Sequence, residues 1–397
     1  MNPEARAGAR IEDTLHRGIG EFALHRMKPI SIETVAKEKQ AKGGDLQLYV
    51  HIPFCTEICS FCAFHRQIDN GAKKENYIQG LEEHIESTLA LFESSDISSI
   101  SVGGGTPGLL MPGQVKRVFS AIRQTTSSDN VSITYELHPE NITSEYIQSL
   151  MELGVTRFSV GIQNMSEEER KVLKRTLTTG DQDIARLQLL NVLGVNYNLD
   201  LMFGTPTQTL ESWLSTLSRV VEEVNPPEIT TYQYVNAYGS ETRKSVMQGK
   251  LSLPGFSATH RMYDATKVYL KDHGYHQTNV QSFSRTENRP RQLLGQGSDF
   301  LGLGPKTYSK IGRCLFLNKG ITSDFTREKD TQTYYGIALP ESLFRLLDKS
   351  FGIIANTVNG EGLLSANLGS WQSEVITQTY AILYYIINHS NLSSEDR

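Results

Sequence analysis

The stretch YVHIPFCTEICSFCAFH, Tyr49 to His65, places three of the chain's four cysteines within eight positions. It opens on a short apolar run that reads as a strand, being rich in β-branched and aromatic residues. Cys55, Cys59 and Cys62 form the pattern C-x3-C-x2-C. A structural zinc ion takes four protein ligands, commonly from two paired arms. His65 is the neighbour that fits as a fourth, but one compact loop is an unusual frame for zinc. Inert buried thiols rarely cluster so tightly. An iron–sulfur cluster held by three thiolates accounts for the triplet and leaves one iron open to an outside ligand.

The bulk properties narrow the field around this loop. With 397 residues the chain can bury a large core. Its 38% hydrophobic and 21% charged content is that of an ordinary soluble globular protein. A net charge of −5 offers no polyanion-binding surface, so nucleic acid is not an expected partner. The opening MNPEARAGARIEDTLHRG has no apolar segment of the signal-peptide kind. Apolar runs such as AILYYII are too short to span a bilayer, so no membrane association and a cytoplasmic location are expected. Four cysteines in such a chain point to metal binding or catalysis rather than to disulfides.

From residue 47 a beat of strand, loop and amphipathic helix sets in. The strand candidates are QLYVHIPF (47–54), ISSISVGGG (97–105), VSITYELHP (131–139), VTRFSVGIQ (155–163), VNYNLDLMFG (195–204) and EITTYQYV (228–235). Between them KENYIQGLEEHIESTLALF places Tyr77, Leu81, Ile85 and Leu89 on one helical face. TSEYIQSLMELG begins with a Thr N-cap and ends in Gly, and TLESWLSTLSRVVEEV follows the fifth strand as a helix. Alternation of this kind implies parallel βαβ units with right-handed crossovers. The expected fold is α/β, a partial (β/α)6 barrel over 47–240. A polar extension, 1–46, precedes it, expected to hold a short helix or two and to be partly mobile, with KEKQAKGGD as a linker. A smaller accessory module, 241–397, follows, containing the helix GFSATHRMYDATKVYLKDHGY, the Gly-rich FLGLGPKTYSKIG and a final amphipathic SEVITQTYAILYYIINHS.

The cysteine loop follows the first strand, at the barrel end where active sites are built. Chemistry-bearing residues end the later strands as well. Gly103, Gly104 and Gly105 let backbone approach a ligand without a Cβ in the way, with Thr106 adding a hydroxyl; a plain tight turn would use the same glycines. Glu136 ends strand three and can pair with an ammonium group, although a strand-end Glu is commonly just solvated. Gln163 ends strand four with an amide that both donates and accepts. Arg175, one helix later, is a candidate clamp for a carboxylate. Asp200 sits in the otherwise apolar NLDLMFG and needs partners, whether a diol, a helix cap or a cation. Gln233, Tyr234 and Tyr308 point where a substrate would sit, or else pack and cap. Cys314 reads as a small buried hydrophobe. His51 and His65 flank the triplet, as solvated or hydrogen-bonded histidines or as groups that tune a cluster.

Taken together, the cysteine loop, GGGTP, E-x-HPENI, RFSVGIQ and NLDLMFGTPTQT resemble the radical S-adenosylmethionine (SAM) superfamily. The likeness is to the group of oxygen-independent coproporphyrinogen III oxidase, the haem chaperones, the anaerobic haem-opening enzymes and the class C radical methyltransferases. It runs from about Leu48 to Tyr234, with a weaker echo over 275–312. The resemblance implies one [4Fe–4S] cluster on Cys55, Cys59 and Cys62, with SAM chelating the open iron. It assigns cofactor contacts to Tyr49, Phe61, Gly104, Gly105, Thr106, Glu136, Gln163, Arg175 and Asp200. It also implies cleavage of SAM to a 5′-deoxyadenosyl radical, fed by an electron donor of flavodoxin or ferredoxin type.

Two departures shape the functional expectation. Coproporphyrinogen oxidases carry a further cysteine where this chain has Phe64, and haem chaperones carry H-N-x-x-Y-W where it has NRPRQLLGQG. The expected reaction is methyl or methylene transfer from a second SAM to an sp2 carbon of an aromatic or heteroaromatic substrate, with Tyr308 in a catalytic role. The alternatives are tetrapyrrole chemistry, by decarboxylation or by haem methylation and opening, and haem carriage.

Overall fold

The computed structural model describes residues 28–125, 131–237, 239–286, 298–318, 320, 322 and 334–338. The strand β1 (Lys28–Ile30) and helix α1 (Ile32–Lys42) lead into β2 (Leu46–Ile52). Then come β3 (Phe54–Cys55), β4 (Gln67–Ile68), α2 (Gly71–Leu89), β5 (Ile97–Gly104), α3 (Pro112–Thr125) and β6 (Ser132–Leu137). The beat continues through α4 (Ser144–Glu152), β7 (Arg157–Gln163), α5 (Glu167–Val172), α6 (Gly180–Val192), β8 (Tyr197–Phe203), α7 (Leu210–Arg219) and β9 (Glu228–Gln233). After these stand α8 (Glu241–Met247), α9 (Phe256–Asp272), β10 (His276–Gln277), β11 (Ser282–Ser284), β12 (Asp299–Leu303), β13 (Tyr308–Ile311), β14 (Cys314–Asn318) and β15 (Tyr334–Ala338).

All six expected strands form, and they pair in sequence order as a parallel set, β2-β5-β6-β7-β8-β9. Their carboxyl ends therefore all open on one side. β2 is buried on both faces, as a parallel strand between helices must be. Helix starts follow the polar caps: Thr143 accepts from Tyr146 N, and Thr179 forms a reciprocal box with Gln182. The α2 face of Tyr77, Leu81, Ile85 and Leu89 is fully buried in the core. The helix read over 209–224 stops at Arg219 and finishes as a wider π turn over Val220–Val224, closed by Asn225 at φ 57°.

The described sheet extends past the parallel six on both sides. β12 joins parallel to β2, with Asp299 opposite Leu46, and β13, β14, β15 and β1 continue it antiparallel. At the other edge β11 and β10 add antiparallel to β9. The residues 299–318 of the expected accessory module are thus hydrogen-bonded directly into the barrel sheet. The first 27 residues, the NRPRQLLGQG stretch at 288–297 and the final amphipathic segment at 373–390 lie outside the described residues. No described helix is long and apolar enough to cross a membrane.

The linker reading of KEKQAKGGD is corrected. Lys37 to Lys42 form the last turns of α1, and Gly43 closes the helix at φ 66°. Lys39 is only 3% exposed, its ammonium held by the carbonyls of Gly43 and Asp45 and by Asp299 at 3.0 Å. Composition suggested a solvated linker, whereas the partner that fixes the segment lies 260 residues away.

Trp213 of α7 is fully buried and donates its indole N–H to Thr266 of α9 at 2.8 Å. Replacing it removes a large apolar surface and leaves a void. Trp213→Ala is expected to lower unfolding free energy by about 3–5 kcal/mol, read from urea titrations of the two chains.

Candidate active site

The chain turns sharply after β2. β3 pairs in parallel with β4, Phe54 opposite Gln67 and Cys55 opposite Ile68, so the eleven residues from Thr56 to Arg66 loop out beyond the carboxyl end of β2. Within that loop Cys62 N donates to Cys59 O at 3.2 Å. Cys55 is buried and Cys59 and Cys62 are partly buried, and all three border one cavity of about 590 Å³. Burial away from charge pushes the Cys55 thiol up to about 12 and raises Cys62 as well. Such thiols are poor free nucleophiles, but a coordinated metal deprotonates a thiol outright. Among the described residues, no three His, Cys, Asp or Glu side chains stand as the ligand set of a single ion. His65 has its Nε2 hydrogen-bonded to Thr322 Oγ1 at 3.0 Å.

The glycine turn after β5 closes on this loop from the side. Gly105 N donates to Ile52 O and Thr106 N to Phe54 O, each at 2.7 Å. A Cβ on Gly105 would lie 2.5 Å from Phe54 O and 2.9 Å from Cys55 Sγ. Gly104 has φ 117° and packs on the His51 ring, so both positions demand glycine. The Thr106 hydroxyl is hydrogen-bonded to the Cys55 thiol. Glu136 lines the same cavity and accepts from Gly104 N at 3.3 Å.

The far wall comes from β7, β8 and β9. Gln163 follows a register shift in β7, has φ 70°, and its Oε1 accepts from the Tyr232 hydroxyl. Among the described residues Asp200 is neither a helix cap nor an ion-pair partner: Ser159 donates to its Oδ2 at 2.8 Å and Asn198 to its Oδ1 at 2.7 Å. Asn198 is held in turn by Thr230. Arg175 is almost fully buried; it donates to Gly161 O and approaches Cys59 Sγ at 3.5 Å, while its Nε has no hydrogen-bond partner. Tyr49, Phe61, Phe64, Gln233 and Tyr308 also line the cavity, Tyr308 edge-on to Phe300 with ring centroids 4.9 Å apart. Tyr234 does not; it packs with Leu173 and Met202 in a small separate cluster. Cys314 is half-buried at the start of β14 rather than fully inside.

Sequence reasoning missed the support behind this wall. Arg170 and Asp183, both essentially without exposure, pair at 2.8 Å, and Arg170 also donates to Asn164 O and to Thr178. Glu169 accepts from Asn164 and Gln208, and Gln208 accepts from Gly204 N. Removing either member of such a buried pair costs about 3–5 kcal/mol, because the other charge is left uncompensated. The run EEERK of α5 carries no spacing signal for which charges turn inward, and the fold buries Glu169 and Arg170.

The comparisons agree with this geometry. A family model, the radical SAM superfamily, matches residues 49–220. "Radical S-adenosyl methionine domain-containing protein 1, mitochondrial" of Danio rerio is 27% identical over 71% of this chain and 64% of its own length. A heme chaperone HemW of Buchnera aphidicola is 29% identical over 75% of this chain and 80% of that protein. The coproporphyrinogen III oxidase (HemN) structure from Escherichia coli superposes with a TM-score of 0.71 at 26% identity, covering 82% of this chain and 78% of that one. Residues 49–220 form a radical SAM domain, and the likeness is to the HemN-like branch of that superfamily. Such a domain implies a [4Fe–4S] cluster and SAM. The residues present fit them: three cysteines on one cavity wall, a glycine cradle that any Cβ would fill, and a buried guanidinium with an unpartnered N–H.

Burial lowers all three histidines that border this cavity, His51, His65 and His138, and His51 is the one whose proton is placed by its partners. His51 Nε2 faces the carbonyl of His65 at 2.8 Å, which can only accept, so Nε2 carries the proton and Nδ1 accepts from the Tyr49 hydroxyl at 3.2 Å. Burial lowers His51 to about 4 from an ordinary value of 6.5. The unfolded chain binds this proton first, so the contribution is complete above pH 6.5 and is lost as pH falls towards 4. The stability advantage of the metal-free wild type over His51→Gln should shrink by about 3 kcal/mol between pH 7 and pH 4. Urea titrations at the two pH values measure it; a constant difference would contradict the assignment.

Proposed function

We propose that this chain is a radical SAM enzyme that activates a C–H bond and transfers a methyl or methylene group from a second SAM to an sp2 carbon. The cluster would rest on Cys55, Cys59 and Cys62. When bound, cluster and SAM supply a 5′-deoxyadenosyl radical for hydrogen abstraction. The protein's own part is to hold and orient. Arg175, with an N–H to spare, suits the methionine carboxylate, and Glu136 suits the ammonium group. Asp200, fixed through both oxygens by Ser159 and Asn198, keeps lone pairs for a ribose diol. Gln163 is pinned by Tyr232 and presents its amide N–H group for the same sugar. Gly104 and Gly105 leave room for the methionine chain, with Tyr49, Phe61 and Thr106 beside it. Tyr308 is the group in the accessory region suited to hold or move a proton at the substrate.

The observation that carries the choice of reaction is the charge of the cavity wall. Four cations line it, Arg66, Lys174, Arg175 and Lys306, against three carboxylates, Glu57, Glu136 and Asp200. Lys174 is already paired with Glu241 at 2.7 Å. With Arg175, Glu136 and Asp200 given to SAM and Lys174 to Glu241, Arg66 and Lys306 remain against Glu57, fewer cations than a substrate carrying several carboxylates would want. The wall supplies rings of its own in Phe61, Phe64, Phe300 and Tyr308. The relatives named as coproporphyrinogen oxidase and haem chaperone favour a second reading, a tetrapyrrole ligand. In either reading a flavodoxin- or ferredoxin-type protein, in the cytoplasm, is the proposed electron donor.

Anaerobic reconstitution should give roughly four irons per chain and a brown chromophore that Cys59→Ala abolishes. With dithionite, SAM and candidate acceptors the chain should release 5′-deoxyadenosine, with S-adenosylhomocysteine rising in step. Deoxyadenosine without S-adenosylhomocysteine, during turnover of a porphyrinogen, would replace methyl transfer with decarboxylation. Tight haem binding with no deoxyadenosine would replace catalysis with carriage.

A further inference from the structure

Ser60 stands between two of the cysteines, and its backbone and side chain are engaged on both sides. Its N–H donates to Leu173 O at 3.0 Å, and its hydroxyl donates to Val172 O at 2.7 Å. These are carbonyls at the end of α5, which have no partner inside the helix. Its own carbonyl accepts from Thr242 N at 2.9 Å, one of the unpaired first-turn N–H groups of α8. The Thr242 hydroxyl then donates to Ser60 Oγ at 2.8 Å. Ser60 is 4% exposed and Thr242 1%.

Two helix ends therefore meet at one serine of the cysteine loop. The α5 end runs on within two residues to Arg175, whose guanidinium reaches Cys59. On the other side, described residues before α8 are hydrogen-bonded to it. Ser240 caps the helix and donates to Ala237 O, and Arg243 donates to Asn236 O. Val235 and Ala237 of that segment line the cavity. A second link between the same parts, Lys174 to Glu241, is half-exposed on both sides and contributes little, as solvent-screened ion pairs do. The buried hydroxyl pair is the stronger tie, since losing one member leaves a buried group unpaired.

We propose that Ser60 and Thr242 are positioning residues for the cluster, clamping the Cys59–Cys62 turn between α5 and α8 so that it stays fixed relative to the cavity wall at Val235 and Ala237. The proposal rests on the cluster reading of the three cysteines. In this arrangement α8 holds the metal-binding loop in register with the substrate side of the cavity.

The test compares Ser60→Ala, Thr242→Val and Thr242→Ser with the wild type in the full chain. In metal-free protein, alkylation of Cys59 and Cys62 is followed by mass spectrometry, with Cys314 as internal reference. In reconstituted protein, iron loss to a chelator is timed. Ser60→Ala and Thr242→Val should accelerate labelling of Cys59 and Cys62 by about 5- to 30-fold, the effect of losing a buried hydrogen bond or two. Cys314 should keep its rate, iron loss should quicken in parallel, and Thr242→Ser should behave as wild type. Labelling of Cys59 and Cys62 at the wild-type rate in both truncated variants overturns the proposal. So does an equal acceleration at Cys314, which marks general loosening. Failure of the wild type to take up a cluster overturns the cofactor reading instead, and the metal-free labelling then still decides whether the clamp exists.

Discussion

Gly105 and Thr106 donate their N–H groups to the carbonyls of Ile52 and Phe54, and these two bonds fix the cysteine loop to the glycine turn. Both carbonyls lie just past the point where β2 stops pairing with β5, whose register ends at Ile52 opposite Gly104. The sheet thus delivers two backbones side by side and then lets both turn away together. No side chain can stand between them: a Cβ at 105 would overlap Phe54 O and crowd Cys55 Sγ. The place of the first cysteine is therefore set by main-chain geometry, and the rest of the cavity is arranged around it.

The later strands meet the same requirement with side chains. Each brings a polar group to the open end of a sheet whose interior is apolar, and each group is held by a hydrogen-bond partner on its own strand or on one within two strands of it. Ser159 of β7 and Asn198 of β8 orient Asp200, Thr230 of β9 holds Asn198, and Tyr232 of β9 holds Gln163 of β7. Unpaired, such groups would be costly at this depth. Paired across strands, they become rigid, which is what a site needs if it is to orient a flexible cofactor.

Much of this was legible in the sequence because the signals were local. Alternation of strands and amphipathic helices announced the parallel set, and the cysteine spacing marked its first loop. Glu136 and Gln163 were conspicuous as polar groups near strand ends, and Asp200 as a carboxylate inside the apolar run of β8. What escaped was decided by distant partners. The KEKQAKGGD segment is tied down rather than free because Lys39 reaches Asp299, and Tyr234 turns from the cavity because Leu173 and Met202 stand behind it. Ser60 was unremarkable between two cysteines until the ends of α5 and α8 arrived beside it. The Arg170–Asp183 pair hid within charges that composition assigns to a surface.

The electrostatics of the loop bear on how the site is loaded. Cys55 and Cys62 are held as neutral thiols by burial, and the nearest guanidinium groups, Arg66 and Arg175, only partly oppose that effect at Cys62. Thiolate formation must then be driven by the metal itself, so loading releases protons and grows easier as pH rises. A loop that is already folded, with Ser60 clamped and Gly105 in place, bears this cost without also having to order its backbone. Its scaffold is pre-organised, while its charge is completed only by what it binds.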